Sequence, residues 1–151
     1  MAVTTSAGTL LKVTASAPAT FNEAGYEALS YTTVGEITNY GELGREFELV
    51  THNPVATRGT QKFKGSFNEG SMQLQIGLDN ADGGQTLMQA ASLSDTPYSF
   101  ELTLPTGHKK YFQGLVMNWK VGVNDVNSIT SATANIEITT SSTGVGIVDA
   151  T

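Results

Sequence analysis

Residues 71–78 read SMQLQIGL. Met72, Leu74, Ile76 and Leu78 fall on one side, and Ser71, Gln73, Gln75 and Gly77 on the other. A period of two is the pattern of a β-strand with one buried and one wet face. It recurs downstream. Tyr98, Phe100, Leu102 and Leu104 oppose Ser99, Glu101 and Thr103, while Ala132, Ala134, Ile136 and Ile138 oppose Thr133, Asn135, Glu137 and Thr139. The wet faces are neutral amides and hydroxyls with a little negative charge. Such a sheet offers a surface and no reactive group.

Further strands are expected around this region. Tyr98–Leu104 and Lys109–Val123 form a hairpin through Pro105-Thr106-Gly107-His108, and Asn124–Ser128 turns the chain into Ile129–Thr140. Upstream, Leu10–Thr14, Tyr31–Thr38 (interrupted at Gly35) and Arg45–Thr51 read as strands. Residues 52–64 read as one long loop, and Asn68-Glu69-Gly70 as a hairpin turn into 71–78. A single short α-helix is expected over 83–93, capped by Asp79 or Asp82, with Leu87, Met88 and Ala91 as its apolar stripe. Residues 15–30 read as irregular, anchored by Phe21, Tyr26 and Leu29. The fold class is mainly β with one short helix, a β-sandwich or small barrel.

The length of 151 residues predicts one domain, 1–151, with a flexible arm at 1–9 and a Ser/Thr/Gly-rich tail at 141–151. The tail's apolar patch, Val145, Ile147 and Val148, is expected to dock on a neighbour. The chain has no cysteine, which removes thiol catalysis and thiolate metal sites. Eight Lys and Arg against fourteen Asp and Glu give a net charge of −6, unlike a protein that grips phosphates. The N-terminal residues do not resemble a signal peptide and no segment reads as a membrane span, so synthesis in the cytoplasm is expected.

Candidate chemistry is sparse. His52 and His108 both fall in turns without carboxylates at ligand spacing. Glu101 and Glu137 share strand parity, as a glycosidase pair would, but ordinary wet-face polarity explains them better. Gly83-Gly84 lacks the further glycines and lysine of a phosphate loop. Trp119, with Leu115, Met117 and Val121 at strand spacing, reads as core or subunit contact. Arg58, Lys62 and Lys64 place three of the eight cations in the long loop, whereas Glu23, Glu27, Glu36, Glu42, Glu46 and Glu48 make the first third acidic. Opposite charges so separated suit contact between copies.

The order of elements and several local sequences then carry a resemblance. They are REFELVTHN from Arg45 into the long loop, GSMQLQIGLD from Gly70, the helix opening GQTLM at Gly84, YSFELTLPTG from Tyr98, and FQGLV from Phe112. Over about residues 10–140 the chain resembles the major tail tube proteins of long, non-contractile-tailed, lambda-like siphophages. The resemblance implies a non-enzymatic subunit without cofactors, a hexameric ring, and stacking of rings into a tube in the virion tail. Inner strands would join into a continuous barrel through which DNA passes without specific binding. It implies partners in further copies of the chain, a tape measure protein, a tail terminator and distal tail proteins, and no membrane. Contractile-tail inner tubes and secretion-system tubes share the fold and form the alternative. On this reading Gln73, Gln75, Ser99, Glu101, Thr103, Asn135 and Glu137 are lumen candidates, with Asn118 and Lys120 of matching parity. Arg58, Lys62 and Lys64 are the expected inter-ring contacts.

Overall fold

A computed structural model describes residues 3–150. In chain order the elements are β1 (Leu10–Thr14), α1 (Glu23–Glu27), β2 (Thr32–Val34), β3 (Ile37–Asn39), β4 (Glu46–His52), β5 (Gln61–Asn68), β6 (Ser71–Gly77), α2 (Gly83–Ser92), β7 (Tyr98–Thr103), β8 (Lys109–Gly122), β9 (Ser131–Thr139) and β10 (Val148–Ala150). Eight strands make one antiparallel sheet in the order β2-β1-β7-β8-β9-β6-β3, with β10 also paired to β8. β4 and β5 form a separate two-stranded sheet.

The two outermost strands of the large sheet are neighbours in sequence. Only Gly35 and Glu36 separate β2 from β3, so the sheet must curl until its edges approach one corner. Glu36 takes a left-handed conformation there, φ 61°. Helix α2 fastens that corner. Its N-cap Asp82 accepts from Gln85 N and from Gly35 N, both through Oδ2. The Gln85 amide nitrogen donates to Gly35 O and Gly77 O, each at 3.0 Å, and its oxygen accepts from Asp79 N at 2.9 Å. A buried glutamine with every amide group used ties β6, α2 and the β2–β3 corner together. The helix sits so close that a Cβ on Gly84 would lie 2.2 Å from Thr33 O.

Inside the curl lie the alternating apolar side chains: Leu11, Val13, Met72, Leu74, Ile76, Phe100, Leu102, Phe112, Ala134 and Ile136, with Met88 and Ala91 from α2. Phe100 and Phe112, opposite each other across β7 and β8, stack at 5.3 Å between centroids. Gly114 has no space for a side chain, because a Cβ would meet Ile136 Cγ2 at 2.4 Å.

Several sequence expectations change. There are two helices among the described residues, not one. The short α1 begins at Asn22, whose side chain accepts from Gly25 N. It lies in the 15–30 segment and carries Tyr26, which stacks on Tyr111 at 5.4 Å. With Ala150, and Phe21, Leu29, Tyr31 and Val148 packed around them, these rings form a second apolar cluster. Phe21, Tyr26 and Leu29 thus anchor the segment, but to this cluster and not to the main core. The expected strand 31–38 is two strands on opposite edges. Asn68-Glu69-Gly70 is not a hairpin turn, since β6 pairs with β9 and β3 while β5 pairs with β4. The C-terminal patch docks on its own chain: Val148 pairs opposite Tyr111, and Ile147 packs on the main core. Of the arm 1–9 and tail 141–151, Met1, Ala2 and Thr151 lie outside the described residues.

Replacing Gln85 by Leu would leave Gly35 O, Gly77 O and Asp79 N without this partner. At about 1–3 kcal/mol for each buried polar group left unmade, partly relieved by water at the corner, an overall loss of roughly 3 kcal/mol is expected. Urea unfolding measures it, and a change below about 1 kcal/mol would show that the corner does not depend on this residue.

Candidate functional site

Two surfaces carry the residues singled out in the sequence. The first is the outer side of β6, β9 and the second half of β8. In register, Ser71 faces Glu137, Gln73 faces Asn135, and Gln75 faces Thr133. Across β9, Asn118 also faces Asn135 and Lys120 faces Thr133. A bulge makes that second alignment possible. Val116 pairs with Ile136 and Asn118 with Asn135, leaving Met117 as the extra residue. The bulge reverses the parity of β8, so Leu115 lies outside beside Glu137 while Trp119 packs on the core. The even spacing of Leu115, Met117, Trp119 and Val121 therefore does not place them on one face.

These side chains line a concave trough of about 490 Å³ bounded by Asn39, Gln73, Gln75, Asn118, Lys120 and Asn135. Its polar groups are amides and hydroxyls, with Lys120 inside. Glu137 stands at one end, its carboxylate accepting from the Asn135 amide at 3.4 Å. Asn135 Oδ1 is buried without a hydrogen-bond partner. Four of the seven lumen candidates, Gln73, Gln75, Asn135 and Glu137, thus share this surface.

Ser99, Glu101 and Thr103 do not join them. They occupy the same side of the sheet, but on β7, where α1 and the 15–31 segment cover it. Ser99 is fully buried and donates to Ser16 O at 2.7 Å. Glu101 is 5% exposed, accepts from the Thr103 hydroxyl at 3.0 Å, and lies 3.7 Å from Lys109 and 3.9 Å from Lys12. Alternation marked these positions as outward correctly; what it did not show was the second layer placed over them. Glu101 and Glu137 are consequently unlike in setting, one buried among cations and one exposed. The aromatic cluster beside Glu101 resists ionisation. Burial pushes the Tyr26 phenol up to about 12, and burial followed by the Glu101, Glu27 and Glu23 carboxylates does the same for Tyr111. Tyr31 is also raised, by burial first and then by Glu101.

The second surface is the β4–β5 hairpin. Residues 52–64 are not one loop: the turn is 53–60, and Lys62 and Lys64 lie on β5, opposite Thr51 and Leu49. Arg58 alone remains in the turn, exposed. Every residue of β4 is exposed. Glu48 and Glu46 alternate with Phe47 and Leu49 as the sequence indicated, but neither side of the ribbon is covered. At its base the Arg45 guanidinium lies 3.8 Å over the Phe67 ring and pairs with Glu69. Glu69 is 2% exposed and also accepts from Ile147 N at 3.0 Å. This buried carboxylate joins the hairpin root to the C-terminal segment. In the sequence Glu69 shows only as the middle of an apparent Asn68-Glu69-Gly70 turn, with no sign of burial. Gly146 accommodates it, since a Cβ there would lie 2.4 Å from the Glu69 carboxyl carbon.

His52 closes the outer end of β4 and His108 lies in the β7–β8 turn, both exposed. Among the described residues no group of three or more His, Cys, Asp or Glu side chains could hold a metal ion, and no helix is long and apolar enough to cross a membrane.

No protein-family model and no curated protein matches the chain. Solved structures do. One chain of the anti-feeding prophage baseplate, a six-fold symmetrised assembly, superposes with a TM-score of 0.66 at 16% identity, covering 92% of this chain and 93% of that one. A chain from the sheath/tube terminator of an extracellular contractile injection system, in its extended state, gives a TM-score of 0.69 at 7% identity, covering 100% and 99%. At such identities the likeness is one of fold, and it extends over nearly the whole of each chain. The fold is therefore one found in a prophage baseplate and in a contractile injection system.

The raised phenols set a pH limit. The folded state holds these protons more tightly than the unfolded chain, whose tyrosines ionise near 10. Their contribution is thus complete below pH 10 and is lost as pH rises from 10 through 12. Urea midpoints should hold steady up to about pH 9.5 and then fall. Tyr26→Phe should flatten the decline, and an unchanged slope would contradict the assignment.

Proposed function

We propose that this chain is a structural subunit of a tube in a phage-like injection assembly, acting by self-association and not by catalysis. Rings of the subunit, six per ring, would stack into a hollow tube. The observation that carries this reading is the full-length likeness of fold to chains from two such assemblies, one of them six-fold symmetric. One is named as a prophage baseplate and the other as part of a contractile injection system. This favours a contractile-tail inner tube or related injection tube over the siphophage tail tube that the sequence resemblance suggested. Baseplate and terminator proteins are accordingly the expected partners at the tube ends, with the tape measure protein inside.

The surfaces suit the role. The Gln73, Gln75, Asn118, Asn135 and Glu137 face would line the bore. It offers neutral amides with one lysine and one glutamate per subunit, so a polyanion passing through finds no cationic track to bind. Ser99, Glu101 and Thr103 are removed from that lining because they serve the inner packing of the subunit. The free strand edges and the uncovered hairpin would be satisfied by neighbouring copies.

Purified protein examined by negative-stain microscopy should show six-fold rings or hollow tubes; a persistent monomer under all assembly conditions would exclude the proposal. Arg58→Glu or Lys62→Glu should shift tubes toward free rings or monomers. Tubes equally resistant to dilution and salt in both variants would remove these cations from the stacking contact.

A further inference from the structure

We infer that the β4–β5 hairpin of one copy docks on the β8–β9 corner of the next. This rests on the self-assembling reading above and adds the receiving surface. The inference begins with the hairpin itself. A two-stranded ribbon standing alone in water is marginal at best, yet this one exposes Phe47, Leu49, Val50, Val55 and Phe63. Phe47, Leu49 and Thr51 share a face with Lys62 and Lys64, as the register and the Lys64 ammonium 4.7 Å from the Phe47 ring show. That face is both apolar and cationic.

A second exposed apolar group lies at the corner between β8 and β9: Val121, Val123, Val126 (98% exposed) and Ile129 (81%). Residues 121–130 contain Asp125 and no cation. Beside Ile129 runs a groove of about 440 Å³ walled by Glu36, Thr38 and Ser131, and it meets the amide-lined trough at Gln75 and Thr133. This surface is apolar and acidic. Since both surfaces are exposed, they do not cover each other within one subunit.

Charge selects the occupant. With Arg45 already paired to Glu69 at the root, residues 46–68 hold three of the eight cations and two of the fourteen carboxylates, a net charge of +1, which leaves −7 on the rest of the chain. Two copies therefore attract hairpin to body and repel body from body. Because the surfaces differ, the contact is heterologous, and repetition gives rings or stacks rather than a closed pair.

The absence of cysteine makes the test direct. Thr51→Cys lies on the cationic face of the hairpin, and Asn127→Cys lies between Val126 and Ile129; both sites are exposed, and neither change removes an apolar contact. Under assembling conditions with mild oxidant, the double variant should give a reducible ladder of dimers, trimers and higher species. A mixture of the two single variants should give dimers only, and each single variant alone should give monomers. Rings or tubes in the microscope without a ladder would overturn this contact while leaving the proposed function intact. Absence of both assembly and ladder would overturn both. Dimers from one single variant alone would show a like-to-like contact and also overturn it.

Discussion

The structure depends on closing a curled sheet at one corner. β2 and β3 occupy opposite ends of the strand order but are only two residues apart in the chain. The corner between them exposes backbone groups of Gly35 to the interior, where unpaired polar groups are costly. Asp82 and Gln85 supply the missing partners from the first turn of α2. The same hydrogen bonds fix the helix against β2, and its apolar stripe then plugs the core. Capping, sheet curvature and core filling are therefore one arrangement.

A curled sheet has two sides with different fates. The concave side holds the main core. The convex side is divided: one half lies beneath α1 and the aromatic cluster of Tyr26, Tyr31 and Tyr111, and the other half is the open amide-lined trough. This division converts uniform strand alternation into two regions, one covered by the subunit's own chain and one left open. The bulge at Met117 contributes to the second region by turning Asn118 and Lys120 outward next to Asn135.

The hairpin shows the opposite balance. It is held at its root by Arg45, Phe67 and Glu69, and Glu69 in turn holds the C-terminal segment through Ile147. Beyond that root the side chains of its strands are exposed. The ribbon therefore leaves Phe47, Leu49, Val50 and Phe63 exposed outside the subunit's own core.

Strand periodicity alone determined β6, β7 and β9, because a period of two is written directly in the order of side chains. The helix at 83–92 was equally legible from a carboxylate cap, Asp79 or Asp82, and its stripe, with the structure choosing Asp82; Arg58, Lys62 and Lys64 stood out by composition. Tertiary structure decided the rest. Whether Ser99 and Glu101 are wet depends on a distant segment folding over them, which no local pattern records. The pairing of Lys62 and Lys64 into β5 depends on β4 as partner, since their own stretch alternates too weakly to declare a strand. The split of 31–38 into two edges follows from sheet curvature, and the buried role of Glu69 from the C-terminal segment reaching it. Local patterns fix which side chains alternate; only long-range packing fixes what lies over each side.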